Sequence, residues 1–283
     1  MASDEGHLTS GERPNAGGLA ELLADADRPG GWLLLIDRIR QSYVDLDDPT
    51  YLDFEYVQAF ADVLDALPSG TLAVTHVGGG ACTLVRYIAA TRPGSPQIVL
   101  EPDVGMIAMV RARLPFARGT RVRIRPVSGR EGVRDLAPAS ADVLVLDAFH
   151  GGRVPAELTT AEFFGDVARV LRPDGVLLAN VADGPPGVFV RRLVAAVRSE
   201  LPSAVLIADP AVLKLRRFGN LVLSASRREL PQAAIAGSAA RAAFPRRVVA
   251  GRELTRFVRG EPALTDADSM RSPQPPEEIW RVG

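Results

Sequence analysis

The run His76-Val77-Gly78-Gly79-Gly80-Ala81-Cys82-Thr83-Leu84, followed about twenty residues later by Val99-Leu100-Glu101-Pro102-Asp103, has the residue types and spacing of a nucleoside-binding site. Glycines admit a ligand where a side chain would clash, and the helix that follows presents unpaired N–H groups. An acid at the tip of the next strand accepts both ribose hydroxyl hydrogens. Gly78, Gly79, Gly80 and Glu101 are therefore the candidate binding residues. A glycine triplet alone occurs in many turns that bind nothing. Here it stands between a β-branched run from Thr71 to Val77 and an amphipathic stretch carrying Leu84, Tyr87 and Ile88.

A second constellation follows in Val143-Leu144-Val145-Leu146-Asp147, an acid ending a buried strand at the edge where open α/β sheets place their ligands. The loop Ala148-Phe149-His150-Gly151-Gly152 is flexible and apolar enough to line a pocket. His150 has an unperturbed pKa near neutrality and is a candidate general base, although an exposed loop histidine reads the same way. His76 reads as a structural neighbour of the glycine turn. Cys82 opens a helix but has no histidine and acid placed near it in sequence, and a small residue there suits close packing. Asp183 either contacts substrate or belongs to the plain turn Asp183-Gly184-Pro185-Pro186. Arg216 and Arg217 read as a solvated edge, and His7 lies in a loose arm.

The elements that must position these groups are legible in outline. The chain has 283 residues, 47% of them hydrophobic, enough for a substantial core. A net charge of -1 gives no overall basic field, so no nucleic-acid partner is expected. One cysteine and three histidines leave neither a disulfide framework nor a zinc cluster, and no metal is expected. No apolar run approaches the roughly eighteen residues of a membrane span, and the N-terminus is polar and acidic, so the expected setting is cytoplasmic with no membrane partner.

Residues 1–29 read as a flexible arm in which Leu19 to Ala26 forms at most a short helix. Residues 30–66 read as a small β element of two strands, Trp32 to Asp37 and Arg40 to Leu46, followed by an amphipathic helix over 51–66. From 67 to 230, strands near 71–77, 97–101, 121–126, 142–147, 175–181, 204–208 and 218–225 alternate with helices near 81–91, 103–113, 160–171 and 187–200. This is a doubly wound, Rossmann-like α/β domain. The segment Leu171-Arg172-Pro173-Asp174-Gly175 reads as a helix end and a turn. The last two strands sit too close together for a long helix between them, which predicts a final antiparallel pair, an order of class I methyltransferase-type folds. Residues 231–283 read as a C-terminal extension, irregular from Glu261 onward.

These residues resemble the spermidine synthase family, the polyamine aminopropyltransferases, over roughly residues 32 to 225, and in particular its divergent bacterial members. The resemblance is carried by Gln41, the helix with Tyr51, Asp53, Glu55 and Tyr56, the glycine turn, Glu101, and Asp147 followed by Leu158-Thr159-Thr160-Ala161-Glu162-Phe163-Phe164. It implies a small N-terminal β domain before a Rossmann-like domain, transfer of an aminopropyl group from decarboxylated S-adenosylmethionine to a small-molecule amine acceptor, and a homodimer. It makes Gln41 a contact to the nucleoside thioether, Glu101 the ribose clamp, and Asp147 the acid beside the transferring group.

The departures from the family pattern concern charge. Ala81 and Cys82 stand where the family has Asp-Gly, and His150 stands where it has a second acid. Asp53-Phe54-Glu55 replaces Tyr-His-Glu, and Ser128-Gly129 replaces the acid that contacts adenine. Fewer carboxylates remain to offset the desolvation of a diammonium substrate. The helix N-terminus freed of an acid at position 81 would also tolerate the carboxylate of intact S-adenosylmethionine. A methyltransferase using that donor, and a nucleoside-binding protein without turnover, are the alternatives. A nicotinamide dehydrogenase fits less well, because the turn lacks its second glycine spacing.

Overall fold

The computed structural model describes residues 18–244 and 246–276. Most of the expected arm, with His7, and the end of the expected tail lie outside the described residues.

Three antiparallel strands come first: β1 (Ala20–Ala24), β2 (Gly31–Ile36) and β3 (Ile39–Asp45), in spatial order β1-β2-β3. Asp37 and Arg38, at φ 50 and 64, make the tight β2–β3 turn whose twist matches right-handed strands. β1 overturns the helix expected within Leu19 to Ala26. Buried Ala20 and Leu22 alternate with outward Glu21 and Leu23, a period of two, and a stretch this short gains more by pairing with β2 than by nucleating a helix.

Helix α1 (Glu55–Ala66) buries Val57, Phe60, Ala61 and Leu64 as the spacing requires. It starts later than the pattern suggests because Phe54 is extended, at φ -83 and ψ 127. The main alternation follows as β4 (Val74–Val77), α2 (Thr83–Thr91), β5 (Gln97–Leu100), α3 (Val104–Arg113), β6 (Val122–Arg125), α4 (Gly129–Arg134), β7 (Ala141–Leu146), α5 (Ala161–Val170), β8 (Leu171–Asp183), α6 (Val188–Glu200), β9 (Ser203–Ala208), the short α7 (Pro210–Leu213) and β10 (Gly219–Ser226). Then come α8 (Gln232–Arg241), β11 (Arg247–Ala250) and α9 (Gly251–Val258).

The eight-stranded sheet runs β11-β9-β10-β8-β7-β4-β5-β6. β4 through β8 pair in parallel, while β10 inserts between β8 and β9 antiparallel to both. The antiparallel close that separates a class I methyltransferase-type sheet from a nicotinamide-binding one is thus present. The elements after residue 230 carry little sequence signal: α8 is rich in alanine and buries only Ile235 and Ala239, and β11 has four residues. The expected Pro-Asp-Gly turn is an exposed bulge inside β8, where the register against β7 shifts between Ala141 and Val143.

Both faces of the sheet are covered, so its strands are apolar on both sides. Leu144, Leu146, Leu177, Ala179, Leu221 and Leu223 pack with α5 and α6 on one face. Val143, Val145, Val176, Leu178 and Val222 pack with α1, α2 and α8 on the other. The N-terminal sheet seats Leu22, Leu34 and Val44 against α2 and α3.

Among the described residues, no helix is long and apolar enough to cross a membrane, and no cluster of His, Cys, Asp or Glu could hold a metal ion. The buried Arg92 closes the turn between α1 and β4 by donating to the carbonyls of Leu64 (2.5 Å), Pro68 (2.7 Å), Gly70 (3.1 Å) and Leu67 (3.2 Å). Replacing Arg92 by Met strips these carbonyls of their donor, so urea unfolding of Arg92→Met is expected to show a loss of about 3 kcal/mol.

Candidate active site

The strand order reverses between β4 and β7, and both strands open at their carboxyl ends into one cleft. The Asp147 N–H donates to Val77 O (2.9 Å) and the Gly78 N–H to Leu100 O (3.0 Å), locking three strand exits side by side. Gly78 sits at φ 93, and a Cβ there would collide with the Asp147 carbonyl. Gly80, at φ 48, is similarly confined, since a Cβ would come within 2.5 Å of the Ser42 hydroxyl on β3. Arg86 anchors the turn from below through Ala81 O (3.3 Å), Pro115 O (2.8 Å) and Leu114 O (2.6 Å).

The cleft has a volume of about 370 Å³, and its lining includes Gln41, Gly78, Gly79, Gly80, Glu101, Asp147 and His150. Gln41, the glycine turn, Glu101 and Asp147 thus meet in one place, with His150 at its rim. Glu101 accepts the Gly79 N–H at Oε2 (2.9 Å) and the Asp103 N–H at Oε1 (3.0 Å). Burial raises its pKa, and these two hydrogen bonds counter part of that rise. Ser128 and Gly129 also line the cleft, and Ser128 caps α4 in a reciprocal bond with Glu131, Oγ to Oε2 at 2.8 Å.

Asp147 is held by two donors. The Tyr56 hydroxyl reaches Oδ2 (3.1 Å) and the Asn180 amide nitrogen reaches Oδ1 (3.0 Å). Burial raises the Asp147 pKa above the ordinary carboxylate range, and the Asn180 and Tyr56 bonds pull it part of the way back. The Tyr56 phenol is itself pushed well above its usual value by burial, reinforced by the Asp147 charge, so it stays protonated and donates. The carboxylate retains lone pairs for a further donor from the cleft.

The remaining candidates separate cleanly. His150 is exposed at the rim, its backbone paired with Arg153. His76 is buried, 2.9 Å from Gln97 Oε1, and burial lowers its pKa to about 4, so it is neutral and structural. Burial pushes the Cys82 thiol up to about 12, which disqualifies it as a thiolate nucleophile. Asp183 accepts from Gly184 N (2.7 Å) and Val190 N (2.8 Å), fixing the start of α6, as the turn reading expected. Arg217 pairs with Asp209 at 3.3 Å.

Two features were missed. Asn180 lies beside Asp147 and Asn220 lines a cavity with Asn180, and the signal for Asn180 was a single amide inside the apolar run Leu177-Leu178-Ala179-Asn180-Val181-Ala182. The segment beyond residue 260, without helix or strand as expected among the described residues, also works on the site as a strap. Ser272 accepts the Val154 N–H (2.8 Å), Arg153 donates to Ser272 O (2.6 Å), and Arg130 of α4 holds Asp266 (2.6 Å).

No family model matches the chain. It is similar to a polyamine aminopropyltransferase of Chromobacterium violaceum, 30% identical over 188 residues that cover 64% of this chain and 70% of the relative. A crystal structure described as a probable spermidine synthase, from Corynebacterium glutamicum, is 31% identical, covers 92% of this chain and 97% of its own, and superposes with a TM-score of 0.85. The chain belongs to the spermidine synthase family of polyamine aminopropyltransferases. The fold likeness within the family extends to the spermidine synthase of Thermotoga maritima, at 18% identity and a TM-score of 0.57, covering 80% of this chain and 75% of that one.

In this spermidine synthase-family chain the Tyr56 hydroxyl lowers the Asp147 pKa, so its removal has a definite sign. Carbon-13 NMR of the Asp147 carboxyl is expected to show titration above the ordinary range in the wild type and at still higher pH in Tyr56→Phe.

Proposed function

We propose that the chain transfers an aminopropyl group from decarboxylated S-adenosylmethionine to an amine. The observation that carries this reading is the charge of the cleft. In a chain with 33 Lys and Arg residues, the described lining holds Asp37, Glu101, Asp103, Asp147 and Glu157 and no Lys or Arg. A decarboxylated donor brings a sulfonium and an ammonium and gains from all of these acids. The intact donor adds a carboxylate with no cation in the lining to receive it.

Glu101 is the proposed ribose clamp, since it ends β5 beside Gly79 and keeps free lone pairs on both oxygens. Gly78, Gly79 and Gly80 let the ligand approach the backbone, and Gln41 is proposed to contact the nucleoside thioether. Asp147 is the proposed base. The acceptor enters as an ammonium and gives one proton to Asp147. Its nitrogen lone pair then attacks the carbon bonded to sulfur. The new N–C bond forms as the C–S bond breaks, the electron pair goes to sulfur, and a neutral thioether leaves with the positive charge now on nitrogen. The raised pKa of Asp147 suits it to hold that proton, whereas His150 stands at the rim. The names of the relatives support the same reading.

Side-by-side calorimetry of decarboxylated and intact S-adenosylmethionine tests this. The decarboxylated form is expected to bind about tenfold more tightly. Tighter binding of the intact form would move the reading to a methyltransferase. Glu101→Ala is expected to weaken methylthioadenosine binding by about 2 kcal/mol. Asp147→Asn is expected to lower kcat about a hundredfold or more while that binding persists.

A further inference from the structure

Next to the donor cleft lies a smaller chamber of about 170 Å³, walled by Phe54, Tyr56, Phe149, Asn180 and Asn220. Gln41 lines both spaces. Strand alternation explains how the polar groups meet. Asp147 continues the face of Val143 and Val145 past the end of β7, Asn180 shares the face of Val176 and Leu178 on β8, and Asn220 that of Val222 on β10. Asn180 lies opposite Val222, so Asn220, two residues away on the same face, is its diagonal neighbour. A polar row therefore crosses three adjacent strands, with Phe54 and Tyr56 at the start of α1 beside it.

Two atoms in this row are unsatisfied. The Asn180 amide nitrogen is committed to Asp147, which turns its carbonyl oxygen away, and that oxygen is buried with no partner in a residue only 2% exposed. The Asn220 Oδ1 is likewise buried and unpaired. A buried carbonyl oxygen without a donor is unfavourable, and both belong to residues that line the chamber, so a ligand there that brings hydrogen-bond donors would relieve them.

The charge of the chamber limits what that ligand is. Its described lining contains no carboxylate, and its one charged side chain is Arg40, half-exposed and paired with Asp53 at 2.8 Å. Asp147, at the inner end of the row, offers compensation for one ammonium. A second ammonium in the chamber would meet neutral amides and a guanidinium in the lining, and the Asp53 carboxylate beside it is already paired with Arg40.

We propose that this chamber is the acceptor site and that it selects a primary amine carrying a single positive charge, with a neutral hydrogen-bond donor at its far end, over a diamine. The chemistry done on that amine rests on the aminopropyl-transfer reading. The amine nitrogen donates to Asp147, and the far donor lies toward the Asn180 and Asn220 carbonyls.

The test is calorimetric titration of the full chain with 4-amino-1-butanol and with 1,4-diaminobutane, each with and without saturating methylthioadenosine. The amino alcohol is expected to bind about tenfold more tightly. Asn220→Asp, which places a carboxylate in the chamber, is expected to reverse the order, and retained methylthioadenosine binding reports that the variant is folded. A wild-type preference for the diamine, equal affinities, or silence with both amines overturns the proposal. If methylthioadenosine fails to bind while the amino alcohol preference persists, the transfer reading falls and the chamber assignment stands.

Discussion

The contact between the backbones of Gly78 and Asp147 is the constraint on which the site depends. β4 and β7 are parallel neighbours across the point where the strand order reverses, and their exits must diverge to opposite sides while starting almost in contact. Only a residue without a Cβ lets β4 leave that close to the Asp147 carbonyl. This approach sets Asp147 and the glycine turn on opposite lips of one cleft, and through the Gly79 N–H it also fixes Glu101. The helices behind the sheet supply the rigidity that holds such a close approach.

Charge is distributed unevenly around that point. The larger cleft is rich in carboxylates, whereas the neighbouring chamber is lined by amides, a phenol and the Arg40 guanidinium. Asp147 stands at the boundary. Its folded-state pKa lies above its unfolded value, so protonation of this group favours the native state, and that contribution is lost as pH rises through the folded pKa.

The sheet and the cleft were legible in the sequence because their signals are local. Gly78, Glu101 and Asp147 each sit at a strand end within a few residues of a strong apolar run, and topology then brings them together. β1 was not legible, because its five residues read as a helix until β2 is available to pair with them. α8 and β11 were missed because their burial is slight. The pairing of Asn180 with Asp147 spans 33 residues, and that of Tyr56 with Asp147 spans 91. Sequence spacing holds no trace of which of these side chains meet, since this depends on the register of β7 against β8 and on the angle at which α1 crosses the sheet.

The strap formed by residues 266–275 bears on how the molecule comes into being. Ser272 lies 118 residues beyond Val154, whose loop it secures. At the pace of chain synthesis these bonding partners emerge roughly ten seconds apart. The parallel half of the sheet can therefore be in place on the ribosome while one wall of its ligand cleft is still untethered. A nick in the strap would return a finished molecule to the same condition: an intact sheet with an unfastened loop from Asp147 to Pro155.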